Sequence, residues 1–281
     1  MPIQRIITAV VLLCLAYLLL FHTSAPLFAL IVGILCGACC YELLAMYKCG
    51  MLMRVLLLTW LFLLSAFLYY SRYAEGLWPV SFWLRMHDPY IASSVRVIII
   101  LFWCFFVPFI LMSQPRHFSR WIICSIAILL LIPAFYALLI LHQMLSPPEL
   151  IALMAIAWVA DTGAYTIGRL IGRHKLAASI SPGKTIEGAV AGVLLVIAYL
   201  LLLKHFCPTL IFLYSYVAII KLGIIATGAS ILGDLFESWL KRVAAVKDSG
   251  RILPGHGGLL DRLDSLFAVV SVGYALLYNL L

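Results

Sequence analysis

A chain of 281 residues that is 65% hydrophobic and only 11% charged, with a mean hydropathy of +1.15, is excluded from the water-soluble globular class. Its net charge of +8 would suggest nucleic acid in a soluble protein; in this composition the placement of charge between apolar runs carries the information. The cysteines make no disulfide or zinc pattern: Cys14, Cys36, Cys39, Cys40, Cys104 and Cys124 lie in or beside apolar runs as small packing residues, and Cys39-Cys40 lacks a partner pair.

A helix crosses the hydrocarbon layer with about 20 mostly apolar residues. Runs of that kind fall at about 4–21, 25–43, 52–70, 94–112, 121–142, 148–168, 186–203, 208–232 and 265–281. The expected fold is therefore an all-α polytopic integral membrane protein with about nine transmembrane helices. Counts of eight and ten stay open, because only His22-Thr23-Ser24-Ala25-Pro26 divides the first two runs and the eighth holds Lys221 and several glycines. A secretory signal is the alternative for residues 1–24, but the run is long for one and a similar span follows at once.

With the N-terminus in the cytoplasm, most Lys and Arg fall on that side, from Arg5, Lys48 and Arg54 to the clusters Arg169–Lys184 and Lys241–Arg262. Arg72, Arg85, Arg96 and Lys204 fall outside and Lys221 within a span, so the excess of cytoplasmic basic residues selects this orientation.

Residues 1–145 read as a hydrophobic platform, with an amphipathic outer segment near 72–96 whose Trp78, Trp83 and Tyr90 suit an interfacial belt. Residues 146–281 read as a catalytic region with cytoplasmic loops 169–187 and 233–265. Of the 11 acidic residues, seven lie from Asp161 onward, which places the chemistry there. Glu42, near a span end beside Tyr41, is a weaker candidate, and the histidines at 22, 87, 117, 142, 174 and 205 sit singly.

Asp234, Glu237, Ser238 and Lys241 follow i, i+3, i+4, i+7 spacing and share one helical face. A helix end laced by ion pairs would look the same. Beyond it come Lys247-Asp248-Ser249-Gly250, Leu253-Pro254-Gly255-His256-Gly257-Gly258 and Asp261-Arg262-Leu263-Asp264-Ser265. A loop so rich in glycine exposes backbone amides, and amides ahead of a helix favour anionic oxygens such as phosphate. Carboxylates beside an anion site make sense with a cation between them, because Mg²⁺ takes hard oxygen ligands together with substrate phosphates. The alternative is a charged membrane edge pairing internally, Asp261 with Arg262 and Asp264 with Arg251. Ser181-Pro182-Gly183-Lys184-Thr185 is a hydroxyl-rich turn with one lysine, a weak phosphate cradle without P-loop spacing. Asp161 lies inside a predicted span beside Thr162, Gly163 and Ala164, and carboxylates in the membrane are costly and commonly functional.

The run Ser238 to Asp264, SWLKRVAAVKDSGRILPGHGGLLDRLD, resembles the signature of phosphatidate cytidylyltransferases, also called CDP-diacylglycerol synthases. Ser181–Gly188 and Asp161–Tyr165 resemble the same family, so the likeness covers much of 157–265. The resemblance implies a helical, dimeric enzyme of the bacterial inner membrane that condenses CTP with phosphatidic acid to CDP-diacylglycerol and pyrophosphate. It implies Mg²⁺ held by Asp234 and Asp261, with K⁺ as a second cation. Asp234, Lys241, Asp261, Arg262 and Asp264 would be catalytic. Asp161, Ser181, Lys184, Thr185, Arg242, Lys247, Asp248, His256, Gly257 and Gly258 would bind substrate.

The residues suit that chemistry. A phosphate monoester has a second pKa near 6, so the lipid headgroup is largely a dianion at neutral pH and needs no general base. The task is to bring two anions together, which cations relieve. Two rival readings remain: a CTP-dependent polyprenol or phytol kinase, with CDP as its product, and a cation-coupled transporter using Asp161 and Lys221.

Overall fold

The computed structural model describes residues 2–73, 80–208, 210, 215–253, 255 and 257–277. The chain is a bundle of helices: α1 (Pro2–Phe21), α2 (Ala25–Met46), α3 (Met51–Tyr73), α4 (Val80–Ile100), α5 (Val107–Ser113), α6 (Arg120–Met144), α7 (Pro147–Ile171), α8 (Ile186–Phe206), α9 (Tyr216–Val243) and α10 (Leu260–Leu277). Among the described residues six stretches are long and apolar enough to cross a membrane: α2, Tyr90–Ser113, α6, α7, α8 and α9. A shorter apolar stretch covers Met51–Leu64. The protein is thus a polytopic α-helical membrane protein. Leu30, Ile34, Phe62, Phe105, Leu194, Leu202 and Ile224 all point outward, and such a sheath of apolar side chains is stable with lipid as its solvent.

Several boundaries differ from those read in the sequence. The fourth span extends through one π-helical turn, Leu101–Phe106, between α4 and α5, next to Pro108, which has no amide hydrogen to give to the ladder. The eighth starts at Tyr216 and continues to Val243, so Asp234 to Lys241 lie on regular helix. Trp78 and the Trp83 side chain lie outside the described residues; Tyr90 is exposed. Cys36, Cys39, Cys40 and Cys124 are buried as packing residues, whereas Cys14 and Cys104 face outward.

Of the membrane-crossing stretches, α6 is the most enclosed and α8 the least. Tyr136 of α6 meets Tyr274 of α10 edge-on at 5.9 Å, and the Tyr274 hydroxyl donates to Ala92 O at 3.4 Å, tying α4, α6 and α10 together. Phe236 on α9 stands edge-on to Phe102 at 5.7 Å, and Trp239 does the same to Phe118 at 5.2 Å. These aromatic contacts hold the polar end of α9 against the first half of the chain.

Between α7 and α8 the backbone makes a small antiparallel hairpin, β1 (Lys175–Ala177) and β2 (Ser181–Thr185), with Lys175 opposite Thr185. The Ser181–Thr185 segment is therefore a strand rather than a turn. Thr185 ends it as the N-cap of α8, accepting from Gly188 N at 3.1 Å. The two helices beside the hairpin touch almost backbone to backbone: a Cβ on Gly188 would lie 3.2 Å from Gly168 Cα.

Candidate active site

α9 and α10 cross closely because Gly233 leaves room; a Cβ there would stand 2.7 Å from Asp264 O and 3.0 Å from Ala268 Cβ. This approach sets Asp234, the next residue on α9, beside the first turns of α10. Asp234 Oδ2 pairs with Lys184 Nζ at 2.6 Å, and its Oδ1 accepts from Ser238 Oγ at 3.2 Å. Asp161 of α7 joins through Ser265, whose hydroxyl lies 3.1 Å from Asp161 Oδ2 and 3.3 Å from Asp264 Oδ1. Asp264 Oδ1 also accepts from Ser265 N at 2.7 Å. Asp161, Asp234 and Asp264 feel one another's charge, with Lys184 as the cation that offsets it. The two polar loops recognised in the sequence thus meet in space, and Arg242 Nε, which donates to Ile180 O at 3.3 Å, reinforces the junction.

A second constellation surrounds Asp261. Lys241 Nζ pairs with Asp261 Oδ1 at 2.7 Å and also with Glu237 one turn back on α9. Asp261 Oδ2 accepts from the backbone amides of Ser249 and Gly258, each at 2.9 Å. Burial pushes the Asp261 carboxyl up, but the bonds from Lys241 and the two amides outweigh it and hold the group at about 2. Asp261 therefore stays ionised and closes the glycine-rich loop onto the start of α10. The loop itself turns through Gly257, at φ +86°, and Leu253 N donates to Gly257 O at 3.0 Å.

The arrangement differs from internal pairing with neighbouring arginines: the partner of Asp261 is Lys241, twenty residues earlier. Three amides of the loop and helix start, Ser249, Gly258 and Leu260, donate to the protein's own carboxylates. Lys247 and Asp248 are exposed at the surface of the same loop and Arg262 on the first turn of α10, Ser181 is half-buried at the start of β2, and His256 lies outside the described residues.

The sequence profile of the cytidylyltransferase family matches residues 3–280 of this chain. A protein of Pseudomonas aeruginosa named phosphatidate cytidylyltransferase is 34% identical over 284 residues, which cover 98% of this chain and 96% of that protein. The chain belongs to the cytidylyltransferase family. Proteins of the same name from Haemophilus influenzae and Staphylococcus saprophyticus are 43% identical over 122 residues and 48% identical over 117, matches that cover 42% and 44% of those proteins.

Within this cytidylyltransferase two buried groups carry more of the site than their sequence context suggested. Glu42 of α2, 2% exposed, accepts from Leu260 N at 2.9 Å and Ser249 Oγ at 3.2 Å. Glu237, 3% exposed, shares Lys241 with Asp261. A carboxylate within an apolar run was the available signal for Glu42, since burying such a charge is costly without a partner.

Proposed function

We propose that the protein condenses CTP with phosphatidic acid, forming CDP-diacylglycerol and releasing pyrophosphate, as the name of its full-length relative indicates. The observation that carries the reading is the Lys184–Asp234 contact, which joins the 181–188 segment to the 233–265 stretch in one polar site at the ends of α7, α9 and α10.

In this reaction an oxygen of the lipid phosphate attacks the α-phosphorus of CTP, one P–O bond forms, and the bond to pyrophosphate breaks. The attacking dianion needs no deprotonation at neutral pH. Lys184, Lys241, Arg242, Lys247 and Arg262 lower the repulsion between the two polyanions and hold them in line. Lys184 has a flexible stem from which its ammonium can serve either Asp234 or a phosphate. Exposed loop residues meet CTP from the water, while the diacyl chains stay among the helices.

Mg²⁺ belongs to the proposal, with K⁺ as a second cation. Among the described residues no group of three or more His, Cys, Asp or Glu stands at metal-binding spacing. Still, the donor chemistry fits: Asp234 offers hard oxygens amid other carboxylates, and Asp261, with three bonds to its two oxygens, keeps acceptor capacity. Asp234 and Asp261 would hold the ion, which supplies charge neutralisation on the phosphates. A homodimer in the bacterial inner membrane, with the site at the cytoplasmic face, completes the reading.

The test uses the purified chain in detergent with labelled CTP, phosphatidate and Mg²⁺. The expected products are labelled CDP-diacylglycerol and pyrophosphate in equal amounts. CDP formation on a polyprenol acceptor, or no turnover with or without K⁺, would sink the assignment.

A further inference from the structure

Glu42 sits near the end of α2, far in sequence from the polar loops, yet its carboxylate lies beneath the glycine-rich loop. Its Oε2 takes the amide of Leu260, the first residue of α10, and the hydroxyl of Ser249, across 218 and 207 residues respectively. Five residues on, the Tyr47 hydroxyl donates to Leu240 O on α9 at 2.9 Å. Burial pushes the Tyr47 phenol up, so it stays a donor. The end of α2 thus grips both helices that carry the site.

Two glycines of the loop are shaped around this carboxylate. A Cβ on Gly250 would come 2.8 Å from Glu42 Cγ and nearer still to the carboxylate, and one on Gly258 would come 2.7 Å from Glu42 Oε2. Neither residue has a positive φ; at Gly250 glycine is required by the room Glu42 takes, whereas at Gly258 Ser249 Oγ and the Gly250 amide crowd the position together with Glu42. The division of amides is equally specific: Glu42 takes Leu260 N, while Asp261 takes Ser249 N and Gly258 N. A negative group at a helix start is favourable, and here the first half of the chain provides it.

We infer that Glu42 is a positioning residue of the catalytic loop: it fixes the first turn of α10, and through it the direction of Asp261 and Asp264 relative to Asp234. This rests on the proposed cytidylyltransferase reaction for its kinetic readout and not for its structural one. Without Glu42, Leu260 N and Ser249 Oγ lose their acceptor and the loop a fixed point. The loss falls on preorganisation, hence on kcat more than on KM.

The experiment compares the full-length protein with E42A, E42Q, G250A and E42A/G250A in the same detergent. E42A is expected to lower kcat by about tenfold or more with KM for CTP within about threefold, because misplacement by about 1 Å already carries such penalties. Gln keeps an acceptor oxygen, so E42Q is expected to recover kcat to within about threefold of wild type. G250A alone should lose activity, and E42A/G250A should be no worse than E42A, since the methyl then fills vacated space and contacting sites are non-additive. Amide exchange in 247–260 should accelerate in E42A while α6 stays protected. Wild-type kcat in E42A, strictly additive losses in the double variant, or unchanged exchange in 247–260 would each overturn the inference. If E42A does not fold, G250A with the exchange measurement decides, and unchanged exchange there overturns it. If the wild type turns over no phosphatidate, the reaction fails, and the exchange arm still decides the role of Glu42.

Discussion

Lys184 on β2 and Asp234 on α9 meet at 2.6 Å, and that contact joins two polar segments separated by the whole of α8. It puts a cation within a group of three carboxylates. If Lys184 serves the phosphates, K184A should lower kcat by about 10²-fold, the usual loss for one preorganised charge-stabilising donor. The fold should hardly notice, because a partly exposed ion pair contributes about 1 kcal/mol or less. Steady-state turnover together with melting in detergent measures both; wild-type turnover in K184A would remove the lysine from the site.

Asp261 fastens the loop and, in the proposed reaction, would also hold the cation; different substitutions separate the two roles. As a fastener of the loop it needs acceptor oxygens, and Asn supplies one; as a cation ligand it needs charge. D261A should abolish liponucleotide formation. D261N should leave amide exchange in 247–260 close to wild type and still reduce turnover by about 10²-fold if the charge matters for phosphate and metal. Near-native turnover in D261N would restrict Asp261 to fastening the loop.

Glycines on α9 are not equivalent. A side chain at Gly233 would meet Asp264 O at 2.7 Å, whereas one at Gly228 meets nothing within 4 Å. G233V should therefore cost about 1–3 kcal/mol by overpacking and also activity, since α9 and α10 must part just where Asp234 and Asp264 stand. G228A should be neutral or stabilise by up to about 1 kcal/mol through helix propensity. Thermal unfolding of the two variants side by side checks the contrast.

The pH profile should report the lipid rather than Asp261. The Asp261 carboxyl is held at about 2, below its ordinary 3.8, so its stabilising contribution is complete above 3.8 and fades only as pH falls toward 2. Between about pH 5 and 8 it does not titrate, and the acid limb of kcat/KM for phosphatidate should fall near pH 6, where the phosphate monoester takes up its proton. A phosphonate analogue with a different second pKa should move that limb by the same amount. A limb that stays put would place the titrating group on the protein.

Much was legible in the sequence because it is local. Twenty apolar residues in a row demand lipid wherever they sit, and the spacing of Asp234, Glu237, Ser238 and Lys241 puts them together on any helix. The Asp234–Ser238 and Glu237–Lys241 contacts follow directly from that spacing. The helix of α9 also runs on past its apolar run, as the shared face of Asp234 to Lys241 implies, because intrahelical partners let a charged stretch continue as helix.

Tertiary structure alone decided who meets whom. Residue spacing along one helix cannot say that Asp261 would choose Lys241 over its neighbour Arg262, nor that a hairpin would carry Lys184 to Asp234. Glu42 looked like a boundary residue until α2 packed against the catalytic helices and buried it under the loop. Composition and period belong to the chain and determine that helices form and where they dissolve. The pairing of buried charges depends on how those helices cross, and small residues such as Gly188 and Gly233 set those crossings at distances no linear pattern encodes.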